Sequence, residues 1–244
     1  MNVCVIIPTY NNAPKLKGVI QGVLKHSLPV IVVNDGSTDG TEDILAEFAA
    51  ALDIIEYKQN RGKGFALLKG FERAKSLGIE AAITIDSDGQ HDPCDIKELL
   101  EVHKNHPNKI LMGSRDLEAA GAPGKSSFGN KFSNFWFWVE TGIRLPDTQT
   151  GFRLYPVKPV CSFKYITNRF GFEIESIVKL AWSGVEFIPV HIGVSYPEDR
   201  ITHFRPIKDF ARISALNTWL VTLAVLYHIP KRLFKRKSAR TSIE

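Results

Sequence analysis

Cysteine is scarce in this chain, and the three residues present, Cys4, Cys94 and Cys161, are odd in number and far apart. That excludes a disulfide framework and a cysteine-built zinc site, and it suits a reducing compartment. The opening MNVCVIIPTYNN lacks the basic start and long apolar core of a signal peptide, so the body of the protein is expected in the cytoplasm. Two phosphate-binding signatures are missing as well. There is no Gly-x-x-x-x-Gly-Lys-Ser/Thr loop and no Gly-x-Gly-x-x-Gly after the first apolar run, which weakens any case for ATP or a dinucleotide cofactor. No internal repeat, low-complexity tract or linker is visible.

A hydrophobic content of 44% against 23% charged residues is enough for a packed core. Apolar runs such as VCVIIPTY, PVIVV, AAITI and KILMGSR read as buried strands. Between them, Leu16, Val19, Ile20, Val23 and Leu24, then Ile44, Leu45, Phe48 and Leu52, then Ala66, Leu67, Gly70, Phe71 and Ala74 recur at helical spacing. Strand and helix alternate four times before residue 116, which predicts an α/β fold: a mostly parallel sheet with helices on both faces. Ligands of such sheets sit at the carboxyl ends of the strands, where the turns PTYNN, NDGSTD, IDSDGQH and GSR fall. Beyond residue 116 the alternation stops, and the aromatics Phe132, Phe135, Trp136, Phe137 and Trp138 are expected to pack in a core or an interface.

The net charge of +5 is uneven. PKRLFKRKSAR, residues 230–240, is strongly basic and follows ISALNTWLVTLAVLYHI, residues 213–229, which contains no Asp, Glu, Lys or Arg. An uncharged apolar helix ending in a basic cluster reads as a membrane-associated segment rather than a nucleic-acid arm, whether it spans the bilayer or lies in one leaflet. A core helix with a solvated tail has the same composition. The expected division is a catalytic domain over residues 1–206 and a membrane-associated apolar helix with basic tail over residues 207–244.

In ITIDSDGQH, residues 83–91, an apolar strand runs into Asp86, Asp88 and Gln90. Oxygens at alternate positions suit Mg²⁺, which takes a few carboxylates and leaves sites for water and phosphate; Asp88 and Asp92 acting as helix caps would explain the same acids. Asp35 in NDGSTDGT can accept hydrogen bonds from a nucleotide, or serve a tight turn. Lys63, between glycines near a helix start, suits phosphate. His91 is better as a supporting neighbour than as a ligand of so hard a metal, and Cys94 and Cys161 are expected to be buried and inert.

Together, VIIPTYNN (5–12), VVNDGSTDGT (32–41), NRGKGFA (60–66), IDSDGQHDP (85–93), GSR (113–115) and DTQTGFRLY (147–155) resemble the family 2 glycosyltransferases of GT-A fold, in family order over about 150 residues. DSDGQHDP, DTQTGFRLY and GFEIE (171–175) look most like the polyprenyl-phosphate hexose synthases of that family. The resemblance implies that Pro8, Tyr10 and Asp35, with Lys63 nearby, line the base and ribose pocket of a GDP- or UDP-hexose. It implies that Asp86 holds the donor nucleotide or metal, that Asp88 and Gln90 ligate Mg²⁺ or Mn²⁺, and that Arg115 faces the phosphates. Asp147 and Thr148 would stand on the acceptor side, with Gly151, Phe152 and Arg153 shaping that wall. Arg200 matches a phosphate-contacting residue; the subgroup then continues Gly, Ser, Lys where this chain has THFRP, leaving Arg205 or Lys208 to replace the lysine. Relatives often carry Glu after Asn11, where this chain has Asn12.

The chemistry needs cations at the leaving diphosphate and, for an already anionic lipid phosphate acceptor, cations to align it behind C1 rather than a general base. Arg115, Lys125, Lys131, Arg200 and Arg205 are candidates. The expected function is inverting, metal-dependent hexose transfer to a polyprenyl phosphate at the cytoplasmic membrane face, with no nucleic-acid partner. The alternatives are a family 2 enzyme acting on another lipid or a polysaccharide, and an inactive nucleotide- or lipid-binding relative.

Overall fold

The computed structural model describes residues 2–115, 124–194, 206–228 and 230. The elements alternate as β1 (Val3–Thr9), α1 (Ala13–Leu24), β2 (Val30–Asn34), α2 (Thr41–Glu47), β3 (Asp53–Glu56), α3 (Lys63–Ser76), β4 (Ala81–Thr84), α4 (Ile96–Asn105) and β5 (Ile110–Arg115). They continue as α5 (Gly124–Thr141), β6 (Arg153–Pro156), α6 (Val157–Val160), α7 (Gly171–Trp182), β7 (Phe187–Ile192) and α8 (Pro206–Leu223), which loosens into a π turn at Ala224–His228. The seven strands form one sheet in the order β3-β2-β1-β4-β6-β5-β7.

Strand periodicity divides the core. On β1, Cys4 and Ile6 point to the face covered by α3, α6 and α7, while Val3, Val5 and Ile7 point to the face that receives α1. Helix α1 buries Leu16, Val19, Ile20 and Val23, the stripe its spacing predicted, at about 1.5–3 kcal/mol for each aliphatic side chain. The sequence did not disclose that the alternation continues past residue 116, adding β6 and β7. Strand β7 pairs in parallel with β5. Strand β6 runs antiparallel to both β4 and β5, with Thr84 opposite Arg153. Because it is reversed, the start of β6 lies at the carboxyl edge of its neighbours, and the loop that enters it reaches the same edge as the loops leaving β1, β2 and β4.

The aromatics of α5 are divided between packing and exposure. Phe137 alone is fully buried; Phe135 and Trp138 are exposed at 51% and 40%, as is Phe128 at 67%. Phe132 packs between α5 and α8, its ring 5.5 Å from that of Phe210 and tilted by 36°. Helix α8 is docked rather than detached, since Leu216, Leu220 and Ala224 are buried and the first two join the α7 face of the core. His228 stacks on Trp182 at 3.9 Å. Trp219 on α8 and Val225, Leu226 and Tyr227 in the π turn are exposed. The span Lys208–His228 is long and apolar enough to cross a membrane, by length and composition.

Candidate active site

The loops leaving β1, β2, β3 and β4, with Arg169 and Phe170 before α7, line a cavity of about 690 Å³ at the carboxyl edge of the sheet. Pro8, Tyr10, Asp35, Lys63, Asp86, Asp88 and Gln90, all singled out by the sequence, line it. Asp39 joins two of the loops: Oδ2 accepts from the Ala13 N–H at 2.9 Å, and Oδ1 from the Thr41 N–H and hydroxyl.

Asp35 is 2% exposed and grips the NRGKG loop. Oδ1 accepts from the Arg61 N–H at 2.7 Å, and Oδ2 from the Gly62 N–H at 2.7 Å and the Asn60 amide at 2.9 Å. Asp35 thus holds a distant loop rather than only its own turn, and it also borders the cavity. Gly62, at φ +100°, lies against Arg169 and the Asn168 carbonyl, where a Cβ would collide. The Phe65 N–H donates to that carbonyl at 2.9 Å, clamping the start of α3 to the segment before α7.

Two acids stand at the end of β4. Lys63 Nζ lies 2.7 Å from Asp86 Oδ1 and 3.0 Å from Glu173 Oε1. Burial works against the Asp86 carboxylate, but the Lys63 ammonium outweighs it and holds the group below the usual range. Burial likewise pulls Lys63 down, and the charges of Asp86 and Glu173 outweigh it, so the ammonium is raised. Among the described residues Asp88 has no such ion-pair partner. Burial first, then the Asp86 charge, pushes it up to about 6, with the Gln90 N–H donating to Oδ1 at 3.0 Å as partial relief. Asp92, not Asp88, caps the helical turn that follows, accepting from the Cys94 N–H at 2.9 Å.

These features fit a hard divalent cation. The donors are carboxylate and amide oxygens facing a roomy cavity, and an anion as destabilised as Asp88 gains from a neighbouring positive charge. No group of three or more His, Cys, Asp or Glu able to hold a metal occurs among the described residues, so most of the coordination shell would fall to water and substrate.

On the other flank Arg115, at the end of β5, is paired with Asp147 in the loop entering β6. Nε donates to Oδ2 at 2.6 Å and Nη2 to Oδ1 at 3.0 Å. Asn130 of α5 donates to the same Oδ1 at 2.6 Å. Asn134 donates to the Pro146 carbonyl at 2.7 Å and accepts from the Thr148 N–H at 2.9 Å. Arg153 is buried and structural: it donates to the carbonyls of Thr148, Thr150 and Glu173 and to the Tyr155 hydroxyl. A Cβ on Gly151 would collide with the Asp86 carboxylate, so only glycine lets this loop pass.

The predicted residues therefore fall into two groups, a cavity set and the Arg115–Asp147 pair, which does not line that cavity. His91 sits where their fields meet. Burial brings it down to about 4, so it is neutral, and Asp86, Arg115, Lys63 and Asp147 all act on it. It stacks on Phe152 at 5.5 Å, a supporting place. Lys131 is exposed on α5. Arg200, Arg205 and the side chain of Lys125 lie outside the described residues, as does the basic tail. Cys94 is exposed and Cys161 half-buried, contrary to expectation.

Sequence reasoning assigned no role to Asn130, Asn134 or Glu173. Asn130, Ser133 and Asn134, at helical spacing amid aromatics, formed a polar stripe that a helix-face reading finds. Glu173 offered only its place in GFEIE.

Residues 4–173 match the model of Glycosyl transferase family 2. A UDP-N-acetylglucosamine–dolichyl-phosphate N-acetylglucosaminyltransferase of Methanococcus voltae is 30% identical over 169 residues, covering 62% of this chain and 67% of that protein. A polyprenol monophosphomannose synthase of Mycolicibacterium smegmatis is 30% identical over 161 residues, covering 62% and 60%. An undecaprenyl-phosphate mannosyltransferase of Micrococcus luteus is 27% identical over 205 residues, covering 79% and 83%. Glucosyl-3-phosphoglycerate synthase of Mycobacterium tuberculosis, solved with UDP, superposes with a TM-score of 0.68 at 17% identity, over 90% of this chain and 80% of that one; another structure of that protein contains Mn²⁺ and UDP. With its GT-A sheet and the family model spanning most of its length, the chain belongs to glycosyltransferase family 2.

Proposed function

We propose that this glycosyltransferase moves a hexose from a GDP- or UDP-hexose to a polyprenyl phosphate at the cytoplasmic face of a membrane, with inversion at C1 and with Mg²⁺ or Mn²⁺. The observation that carries the reading is the gathering of Asp86, Asp88, Gln90 and Lys63 in one nucleotide-sized cavity together with Pro8, Tyr10 and Asp35. The names of the three relatives, all transferases acting on polyprenyl or dolichyl phosphates, support the acceptor class.

In this mechanism Pro8 and Tyr10 pack the base and ribose, and the turn held by Asp35 closes around them. Asp86, Asp88 and Gln90 would hold the divalent ion, which when bound stabilises charge on the departing diphosphate. Lys63 adds a cation on the same side. The acceptor phosphate is already anionic, so it needs alignment behind C1 more than deprotonation. Arg115 serves this, with Asp147 fixing its plane, and Lys131, Arg200 and Arg205 are further contributors. Helix α8 and the basic tail bring the site to the lipid surface, the apolar side chains entering the interface and the tail meeting anionic headgroups.

The test is a panel of labelled nucleotide sugars offered to polyprenyl phosphate in vesicles, with Mn²⁺ or EDTA. Metal-dependent transfer to the lipid, abolished in Asp88→Ala, is expected. Transfer to a saccharide acceptor with none to any lipid phosphate would overturn the acceptor class.

A further inference from the structure

Lys63 is shared by two carboxylates of unequal standing. Asp86 borders the donor cavity; Glu173 stands behind it in the first turn of α7. The side chains of Lys63, Asp86 and Glu173 are only 21%, 23% and 13% exposed, so their attraction is weakly screened. Glu173 is also held from behind, its backbone carbonyl accepting from the buried Arg153 guanidinium at 2.9 Å. The ammonium is therefore tied to a fixed post on one side and to a cavity acid on the other.

We propose that Lys63, tethered by Glu173, is a resident counter-ion of Asp86 that competes with the divalent metal, so that metal is taken up well only when a nucleoside diphosphate offers the ammonium other oxygens. This rests on the reading of the cavity as a metal-dependent donor site. Two cations sharing one carboxylate repel, so the one already present weakens the newcomer. A diphosphate reverses the balance by giving Lys63 anionic partners within reach of its tether. By linkage, metal and nucleotide then strengthen each other's binding by the same factor. Glu173 is a positioning residue here, acting through Lys63.

The test is Mn²⁺ titration of the full-length protein in detergent, read by the electron paramagnetic resonance of free Mn²⁺, without nucleotide and with UDP or GDP. Without nucleotide, Lys63→Met, which keeps the aliphatic stem, is expected to bind Mn²⁺ roughly tenfold tighter than wild type, and Lys63→Arg to stay as weak as wild type. Glu173→Gln is expected to weaken Mn²⁺ several-fold, because the ammonium then leans on Asp86 alone, and to have little effect in the Lys63→Met background. Partial unfolding weakens binding in every variant and cannot produce this opposition of signs. Unchanged or weaker Mn²⁺ binding in Lys63→Met overturns the inference, as does a Glu173→Gln effect equal in both backgrounds. If wild type takes up no Mn²⁺ even with UDP and GDP, the metal-dependent reading falls along with it.

Discussion

Asp147 holds Arg115 by both carboxylate oxygens, and the pair is nearly closed to water, with side-chain exposures of 1% and 11%. Two-point contact fixes the plane of the guanidinium as well as its position. Removing one member leaves a buried charge uncompensated. Asp147→Ala is expected to lower unfolding stability by roughly 3–5 kcal/mol in chemical denaturation, and Asp147→Asn by less, since the amide retains one acceptor for Arg115. Asn130→Ala, which removes one neutral donor to the same acid, is expected to cost about 1.5–3 kcal/mol.

Asp35 gives a second prediction. Asp35→Ala breaks three hydrogen bonds to residues 60–62. A loss of roughly 2–4 kcal/mol is expected, with the affinity for UDP or GDP falling at least tenfold in calorimetry as the turn loosens. Asp35→Asn, which keeps one acceptor oxygen, is expected to fall between. Nucleotide affinity unchanged in Asp35→Ala would separate this loop from the donor site.

Glu140 sets a pH dependence away from the cavity. It is buried at the end of α5, neither carboxyl oxygen has a hydrogen-bond partner among the described residues, and burial pushes the group up to about 8. An acid raised in the folded state binds a proton that the unfolded state has released. Its contribution to stability is therefore greatest below the ordinary carboxyl range, declines as pH rises toward 8, and levels off above it. Glu140→Gln is expected to flatten this decline between pH 5 and 8 in thermal unfolding curves; a decline of equal slope in the variant would assign it to other groups.

Helix α8 calls for substitution rather than truncation. Deleting residues 213–244 takes away Leu216 and Leu220, which are part of the core, and is expected to unfold the α5–α7 face. Replacing the exposed Trp219, Val225, Leu226 and Tyr227 by Gln or Ser is expected to move the protein from sedimenting vesicles to the supernatant, with the melting temperature nearly unchanged. Retention on vesicles would refute a membrane role for these side chains.

The first half of the fold was legible because its signals are local. Strand alternation, the stripe of α1 and the polar turns all lie within a few residues of one another. So was most of the cavity set, whose members follow the ends of β1, β2 and β4, with Lys63 opening α3 after β3. The rest depends on distant partners. That Lys63 meets Glu173, 110 residues away, is written in no period or spacing. Nor can composition tell that Trp138 faces outward on α5 while Phe137 faces in. Strands β6 and β7 escaped because RLYP opens on an arginine whose burial depends on distant partners, and FIPVHI interrupts its apolar residues with both Pro189 and His191.

The reversed direction of β6 carries an implication for engineering. Gly151 and Asp147 reach the ligand edge on a segment that both departs from and returns to the scaffold within a short stretch, from the end of α5 to Pro156. The stretch is anchored to the scaffold by Arg153 beneath it and by Asn130 and Asn134 beside it. Transplanting residues 127–156 as one cassette between related transferases would carry these anchors along, exchanging the machinery around Arg115 while the nucleotide pocket of the recipient keeps its own walls.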